Sequence, residues 1–336
     1  MIMTFSQPVA AVKNVSRLEW GYISGRLSVL ETLLLGRSFF EGLLKAHDLS
    51  EVRSALAKTP YRTVFSTDEA IRNYHAVLER YSEAVISDIF NNSPSHALKS
   101  FFEISSRYPV FRGIFLRAVA RGASLSEIDD SFDTLALTVE EQEALLGHRS
   151  MLRDREAPQN AGSVARSLFL DSCFCTLRLA HACEAREELI SRLLHDIAVL
   201  QIWSAVLRSR WNGTSSDVIQ RWFVVNGAHG DLVKDTAVMA ESNPAGALTG
   251  RISEHALHSV KEYGNEQIRR KVDTVTGESI REEVLQCRMV PYGPEKVLGY
   301  VIAFQIEQEN LRLALSSVVS GVDHRIAAEG LRGEYA

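Results

Sequence analysis

Prolines, cysteines and long apolar runs are scarce in this 336-residue chain. Only eight prolines occur, and alternating apolar and polar runs are few, which leaves little room for β-sheet. The four cysteines follow no regular spacing, so we expect a reducing compartment rather than a disulfide-bonded secreted fold. Residues 1–19 contain no apolar run long enough for a secretory signal, so we expect none there. No segment has about 18 consecutive apolar residues, so we also expect no membrane-spanning segment.

Neither positive nor negative charge is in large excess. The net charge is −5, with 24% charged and 46% hydrophobic residues, which is ordinary for a globular protein. A dedicated nucleic-acid binder normally carries a basic face, so we expect no nucleic-acid partner.

Known chemical motifs are missing. The chain has no glycine-rich phosphate loop, no dinucleotide-binding fingerprint and no His-Glu-x-x-His zinc helix, so we expect no cofactor and no catalytic site. Cys173, Cys175, His181 and Cys183 are the nearest approach to a metal cluster. Cys173 and Cys175 are two apart in a predicted helix and face different directions, so small buried thiols are the favoured interpretation.

Helical periodicity is what the chain does contain. Leu27, Leu30 and Leu34 recur at three- and four-residue steps, which is typical of one face of a helix. Three residue pairs match the capping box, in which side chains satisfy the free N–H groups of a helix start: Asp48 with Glu51, Ser124 with Glu127, and Thr138 with Glu141. These patterns predict an all-α fold.

A weak internal repeat divides the predicted helices. Three of them end with a leucine six residues before a glycine, the residue that best terminates a helix: Leu116 and Gly122, Leu207 and Gly213, Leu315 and Gly321. The period is much longer than that of helical solenoids. We therefore predict three similar helical bundles, with approximate boundaries at 1–125, 126–216 and 217–336 and with helices that can be exchanged between them.

The last long helix combines apolar rows with a polar cluster. Two rows repeat every seven residues, and they comprise Val297, Phe304, Leu311 and Val318, and Val301, Gln308, Leu315 and Val322. Together with further apolar positions they predict a helix buried on more than one side. Residues 305–312 (QIEQENLR) carry the polar groups. Pairs within the helix and bonds to adjacent helices are the favoured interpretation, and a polar patch that receives a partner is the alternative.

Two segments resemble a known family. Residues 291–300 (PYGPEKVLGY), followed by Glu307, residues 310–312 (NLR) and Gly321, are similar to its most recognisable segment. Residues 21–27 (GYISGRL), with residues 59–61 (TPY) further on, are similar to its opening tyrosine–arginine helix and Thr-x-Tyr ending. The family is the C-type subunit of the V/A-type rotary ATPases, the counterpart of the d-type subunit in the eukaryotic vacuolar enzyme. Gln305 stands where the family often has Glu, and the matches cover about a quarter of the chain.

The resemblance implies an architecture and a role. It implies a funnel of three three-helix bundles with pseudo-threefold symmetry, located in the cytoplasm and attached to the membrane only through the c-ring. The expected partners are the central-axle subunits of the D and F type and the c-ring. The expected function is to transmit torque between them without catalysis, coupling ATP hydrolysis or synthesis to H⁺ or Na⁺ transport.

Candidate site residues follow from the same segments. Glu307, Asn310 and Arg312 are the candidate axle or ring contacts. Tyr22, Arg26, Gly293, Pro294 and Tyr300 are expected to have structural roles, and no residue is expected to be catalytic or to bind a cofactor or metal. The alternative is a helical scaffold or adaptor subunit of another complex, which would share the composition and the repeat.

Overall fold

The computed structural model describes residues 17–121, 132, 137–154, 162–185, 187–225 and 228–333. Over these ranges the chain is helical and contains no strand, which confirms the predicted all-α class. The α-helices, in chain order, are α1 (Arg17–Glu31), α2 (Arg37–Leu43), α3 (Leu49–Leu56), α4 (Asp68–Arg72), α5 (Tyr74–Asn91), α6 (His96–Ala120), α7 (Val139–Ala144), α8 (Leu146–Asp154), α9 (Ser163–Glu184), α10 (Glu188–Trp211), α11 (Ser216–Trp222), α12 (Ala228–Met239), α13 (Glu254–Lys261), α14 (Asn265–Leu285), α15 (Pro294–Ser320) and α16 (His324–Glu329). Short 3₁₀ helices lie at Pro60–Arg62, Pro244–Leu248 and Gln286–Met289.

Side-chain caps begin helices where the sequence predicts them. The hydroxyl of Thr138 accepts a hydrogen bond from the N–H of Glu141, and the carboxylate of Glu141 accepts one from the N–H of Thr138. This is the predicted capping box. Asp48 caps α3 by accepting from the N–H of Glu51. The pair Ser124 and Glu127 lies outside the described residues.

Glycines end the repeat helices in the expected conformation. Gly213 follows α10 with φ of 86°, and Gly321 follows α15 with φ of 66°. Positive φ is costly for a residue with a Cβ atom, so glycine is favoured at both places. The prediction is confirmed for these two helices, and Gly122 lies outside the described residues.

Two hydrophobic cores organise the packing. The larger core draws on all the long helices, whereas the smaller core joins the short helices α2–α4 to the last turns of α15 and to α16. Helix α15 contributes Val301 and Phe304 to the first core and Leu311 and Leu315 to the second. This helix is therefore buried on more than one side, as the sequence predicted.

The first and last long helices of the described residues pack together. Helix α15 packs against α1 and α5. The N–H of Gly293 donates to the Ser24 hydroxyl at 3.2 Å, and Lys296 forms a largely buried ion pair with Glu31. Residues of the predicted first and third units thus contact each other. The unit boundaries themselves stay a prediction.

Helix α10 lies at the centre of the molecule. By length and composition it is apolar enough to cross a membrane, and 72% of its most apolar window is buried inside the protein. It packs against α9, α12 and α14. Burial of this kind is what the core helix of an all-α protein shows, because such a helix is covered by protein on most sides.

Candidate functional site: the central cavity

Five helices surround a central cavity of about 600 Å³, which is lined by α6, α9, α10, α14 and α15. The lining positions recur at helical spacing along each of these helices, so each helix presents one face to the cavity. On α6 these positions are Phe102, Ser105, Pro109 and Arg112; on α10 they are Ile197, Gln201, Ser204 and Arg208; on α15 they are Ile302, Gln305, Ile306 and Glu309. The three helices that the leucine–glycine repeat singled out all line the same cavity.

Ion pairs link the helices around the cavity wall. Arg112 on α6 pairs with Asp171 on α9 at 3.1 Å, and Arg208 on α10 pairs with Asp273 on α14. Burial raises the pKa of Asp171, and the nearby guanidinium groups of Arg112 and Arg208 oppose that rise. These pairs fix neighbouring helices to each other at the cavity surface.

A third pair joins α15 to the last described residues. Arg332 Nη1 lies 2.5 Å from the carboxylate of Glu309. Burial raises the pKa of Glu309, and the charges of Arg332 and Arg312 oppose that rise. Each of the three pairs therefore places one arginine and one carboxylate in the wall of the cavity.

Arg178 on α9 differs from these arginines. Its Nη1 donates to Oε1 of Gln201 at 2.7 Å, and its Nη2 donates to the hydroxyl of Ser105. The guanidinium lies 4.6 Å from the ring centre of Phe101 and 4.7 Å from that of Phe174. No carboxylate among the described residues pairs with it, and burial lowers its pKa to about 10.

A second cavity, of about 650 Å³, adjoins the first. The two share Phe102, Ser105, Gln305 and Glu309 in their linings. The second carries more acidic groups in its wall, which comprise Glu79, Glu83, Glu103 and Glu309 against Arg107 and Arg312. The lining of the central cavity therefore has one more basic than acidic side chain, and the lining of the second cavity has two more acidic than basic side chains.

Glu307 lies away from both cavities. Its side chain is 5% exposed and accepts hydrogen bonds from the Tyr61 hydroxyl and from the backbone N–H of Leu35. Burial raises the pKa of Glu307 to about 7, although both hydrogen bonds favour the charged form. The Tyr61 oxygen also accepts a hydrogen bond from Nε2 of Gln308. Glu307 thus holds the short N-terminal helices against α15.

The remaining polar groups of residues 305–312 point in different directions. Asn310 is buried and exchanges two hydrogen bonds with the backbone of Arg332, at 2.8 and 3.2 Å. Arg312 lines the second cavity, whereas Gln305 lines both cavities. Some members of the cluster therefore bond to adjacent segments of the chain, whereas others line a cavity.

The other predicted residues lie near the junction of the chain ends. Arg26 on α1 makes two hydrogen bonds to the carboxylate of Asp88 on α5, one of them at 3.1 Å. Tyr22 is 66% exposed on the outer side of α1. The structure does not bring these residues to the central cavity.

Helix α15 starts at Pro294, directly after Gly293. Gly293 has φ of 117°, and Pro294 occupies the first turn of the helix, where its missing N–H group costs nothing. Tyr300 is buried and stacks on Phe304 with ring centres 6.2 Å apart. Burial raises the pKa of Tyr300.

Cys173 and Cys175 are buried thiols, as predicted, and Cys183 is exposed. Burial raises the pKa of Cys173 well above its usual value and that of Cys175 to about 12. Over the described ranges, no group of three histidine, cysteine or acidic side chains is arranged to hold a metal ion.

Sequence reasoning missed the charged residues of the central cavity. Asp171 and Arg178 stand seven residues apart in the mainly apolar helix α9 and therefore share one face. Two charges on one face of a mainly apolar helix were the available signal. Arg208 gave a weaker signal, since an arginine near the C-terminal end of a helix is common.

No protein-family model matches the chain, and no curated protein sequence matches it either.

Proposed function

We propose that this protein is a non-catalytic rotor subunit that links the central axle of a V/A-type ATPase to the membrane c-ring. In this proposal the axle tip enters the central cavity, and torque passes through the helices that form its wall. The coupled ion is H⁺ or Na⁺, and ATP is hydrolysed or made on other subunits. The protein lies at the cytoplasmic face of the membrane and contacts it through the c-ring.

The observation that carries the proposal is the convergence of three repeat helices on one charged cavity. Helices α6, α10 and α15 each present a face to it. A socket that receives an axle needs walls of this kind, because torque must pass to several helices rather than to one. A pseudo-threefold funnel of three bundles is the arrangement that we propose for them.

The packing of the chain ends supports the same role. Tyr61 and Glu307 join the two segments whose sequences resemble the rotary-ATPase family. Ion pairs such as Arg112 with Asp171 join adjacent helices at the cavity surface. A body cross-linked in this way resists deformation, since each helix is tied to its neighbours.

We place the axle contact on the wall of the central cavity rather than on Glu307 or Asn310. Both of these side chains are buried and bonded within the protein. Arg312 is accessible from the second cavity, which adjoins the central one, and stays a candidate contact.

Purification of the tagged protein from its native membranes in mild detergent tests the proposal. We expect the catalytic head, the axle and the c-ring to co-purify, with ATPase activity that becomes uncoupled from ion transport when this protein is removed. Recovery of a different set of partners would overturn the rotor assignment and favour a scaffold or adaptor subunit.

Charge reversal inside and outside the cavity localises the contact. Arg208→Glu changes an ion-paired arginine in the cavity wall, and Arg269→Glu changes an ion-paired arginine on the outer surface of α14. We expect the first variant to lose the axle and the second to retain it. Equal retention by both variants would place the axle contact elsewhere.

A further inference from the structure

Arg178 is a buried cation with unused hydrogen-bonding capacity. It is 6% exposed and lies in the wall of the central cavity. A guanidinium group has five N–H donors. Gln201 and Ser105 each accept one, and Nε has no partner. Both acceptors are neutral side chains that also line the cavity.

The surroundings of Arg178 do not compensate its charge. Moving a cation out of water is costly unless an anion or a full set of hydrogen bonds replaces its hydration. The faces of Phe101 and Phe174 stabilise a cation by their π-electrons, but less strongly than a carboxylate does. The site is therefore a positive charge held in place by two rings and two neutral acceptors.

The cavity wall as a whole also has one uncompensated positive charge. The lining contains four arginines and three carboxylates, namely Arg112, Arg178, Arg208 and Arg332, and Asp171, Asp273 and Glu309. Three arginines are paired with the three carboxylates. One positive charge, that of Arg178, is left without a carboxylate partner among the lining residues, so a single negative charge would neutralise the wall.

We propose that the central cavity is a carboxylate-binding site in which the guanidinium of Arg178 is the anchoring cation. A carboxylate has one negative charge and two oxygens that suit the planar guanidinium fork. Apolar lining residues such as Ile302 and Ile306 suit the aliphatic stem of an acidic side chain. The source of the carboxylate, an Asp or Glu side chain of the axle tip, rests on the proposed function, whereas the site on this chain does not.

The site is tested on the isolated protein with acetate as the probe. The side-chain signals of isotope-labelled arginines are followed by NMR at constant ionic strength, with chloride in the reference titration. We expect acetate to shift the Nε signal of Arg178 in a saturable manner. This signal is assigned to Arg178 because it is missing from the spectrum of Arg178→Met. The absence of a saturable shift, or an equal response to chloride, would overturn the proposal.

Two variants keep the test independent of folding defects. Gln201→Glu places a carboxylate where the amide oxygen now lies, 2.7 Å from Nη1 of Arg178. We expect this variant to melt at a higher temperature and to lose the acetate response, because its own carboxylate occupies the site. Arg269→Gln, outside the cavity, should retain the response. A Gln201→Glu protein that still binds acetate as the wild type does would contradict the assignment.

Binding of the purified axle subunits identifies the source of the carboxylate. Competition by acetate, with weaker axle binding by Arg178→Met, would assign the carboxylate to the axle. Acetate binding without competition would show that the site takes a small carboxylate and would overturn the axle as its source. Acetate binding without any axle binding would leave the site standing and refute the proposed function.

Discussion

Tyr61 donates the hydrogen bond of its phenol to Glu307, a residue 246 positions further along the chain, and both side chains are buried. The contact joins the 3₁₀ turn that follows the first short helices to the middle of α15. Two segments that are far apart in sequence are thus held together by one carboxylate. This carboxylate has a structural function, and the charged wall of the central cavity is formed by other residues.

Tyr61→Phe should destabilise the fold by about 2–3 kcal/mol. The substitution removes the donor to Glu307 and the acceptor of Gln308, and leaves both polar groups buried without that partner. Urea unfolding of the two proteins measures the difference. Tyr81→Phe is the matched control, because the Tyr81 ring packs on Tyr61 at 5.0 Å and its hydroxyl makes no hydrogen bond within the described chain. A cost as large for the control as for Tyr61→Phe would contradict this account.

The stability of the protein should depend on the ionisation of Glu307. Burial raises the pKa of Glu307 from 4.5 to about 7 in the folded protein. Between these values the unfolded chain loses the proton while the folded chain retains it. The unfolding free energy contributed by Glu307 is therefore complete below pH 4.5 and falls as the pH rises to 7, by up to about 3 kcal/mol.

Urea unfolding of the wild type and of Glu307→Gln at several pH values tests this dependence. The difference between the two proteins should change across the window from pH 4.5 to 7 and stay constant above it. Glu83→Gln, at an exposed position of α5, is the control and should follow the wild type. A constant difference between wild type and Glu307→Gln from pH 4 to 8 would refute the role of this carboxylate.

Glu141 should stabilise the fold in the opposite pH range. This buried carboxylate lies 2.9 Å from both Arg107 and His181. Burial alone would raise its pKa, but hydrogen bonds from His181 and the Thr138 backbone, together with the charge of Arg107, lower it to about 2. The stabilisation is present above pH 4.5 and is lost as the pH falls towards 2.

Glu141→Gln should cost about 3 kcal/mol at neutral pH, because Arg107 would lose its buried counterion. Thermal or urea unfolding at pH 7 measures the loss, and the gap between variant and wild type should narrow as the pH falls below 4.5. Glu143→Gln, two residues away and exposed, should change the stability little. A similar loss in both variants would argue against a specific effect of the buried cluster.

Two glycine-to-alanine substitutions should change the free energy of unfolding in opposite directions. Gly321→Ala should destabilise by about 1 kcal/mol, because Gly321 has φ of 66° and no atom within 4 Å of the new Cβ would offset the strain. Gly25→Ala, inside α1 and equally free of contacts, should stabilise by about 0.5–1 kcal/mol. Thermal unfolding measures both changes. A change of stability in the same direction in both variants would show that the backbone conformation of the glycine does not decide the effect.

The sequence by itself determined the fold class and much of the local structure. Helical spacing, the capping box of Thr138 with Glu141 and the terminal glycines Gly213 and Gly321 depend on contacts within a few residues. The burial of α15 also followed from its composition, because a helix that is apolar on several sides must be covered. These features are local, so a single chain carries enough information to predict them.

Only the tertiary structure decided which polar residues share a site. The sequence directed attention to Glu307 and Asn310, whose polar groups turned out to satisfy Tyr61 and the backbone of Arg332. The charged wall of the central cavity comes from five helices whose order along the chain does not reveal how they pack. An arginine such as Arg178 is an ordinary residue in the sequence. Its burial between two aromatic rings, without a carboxylate partner in the cavity wall, is a property of the packed helices alone.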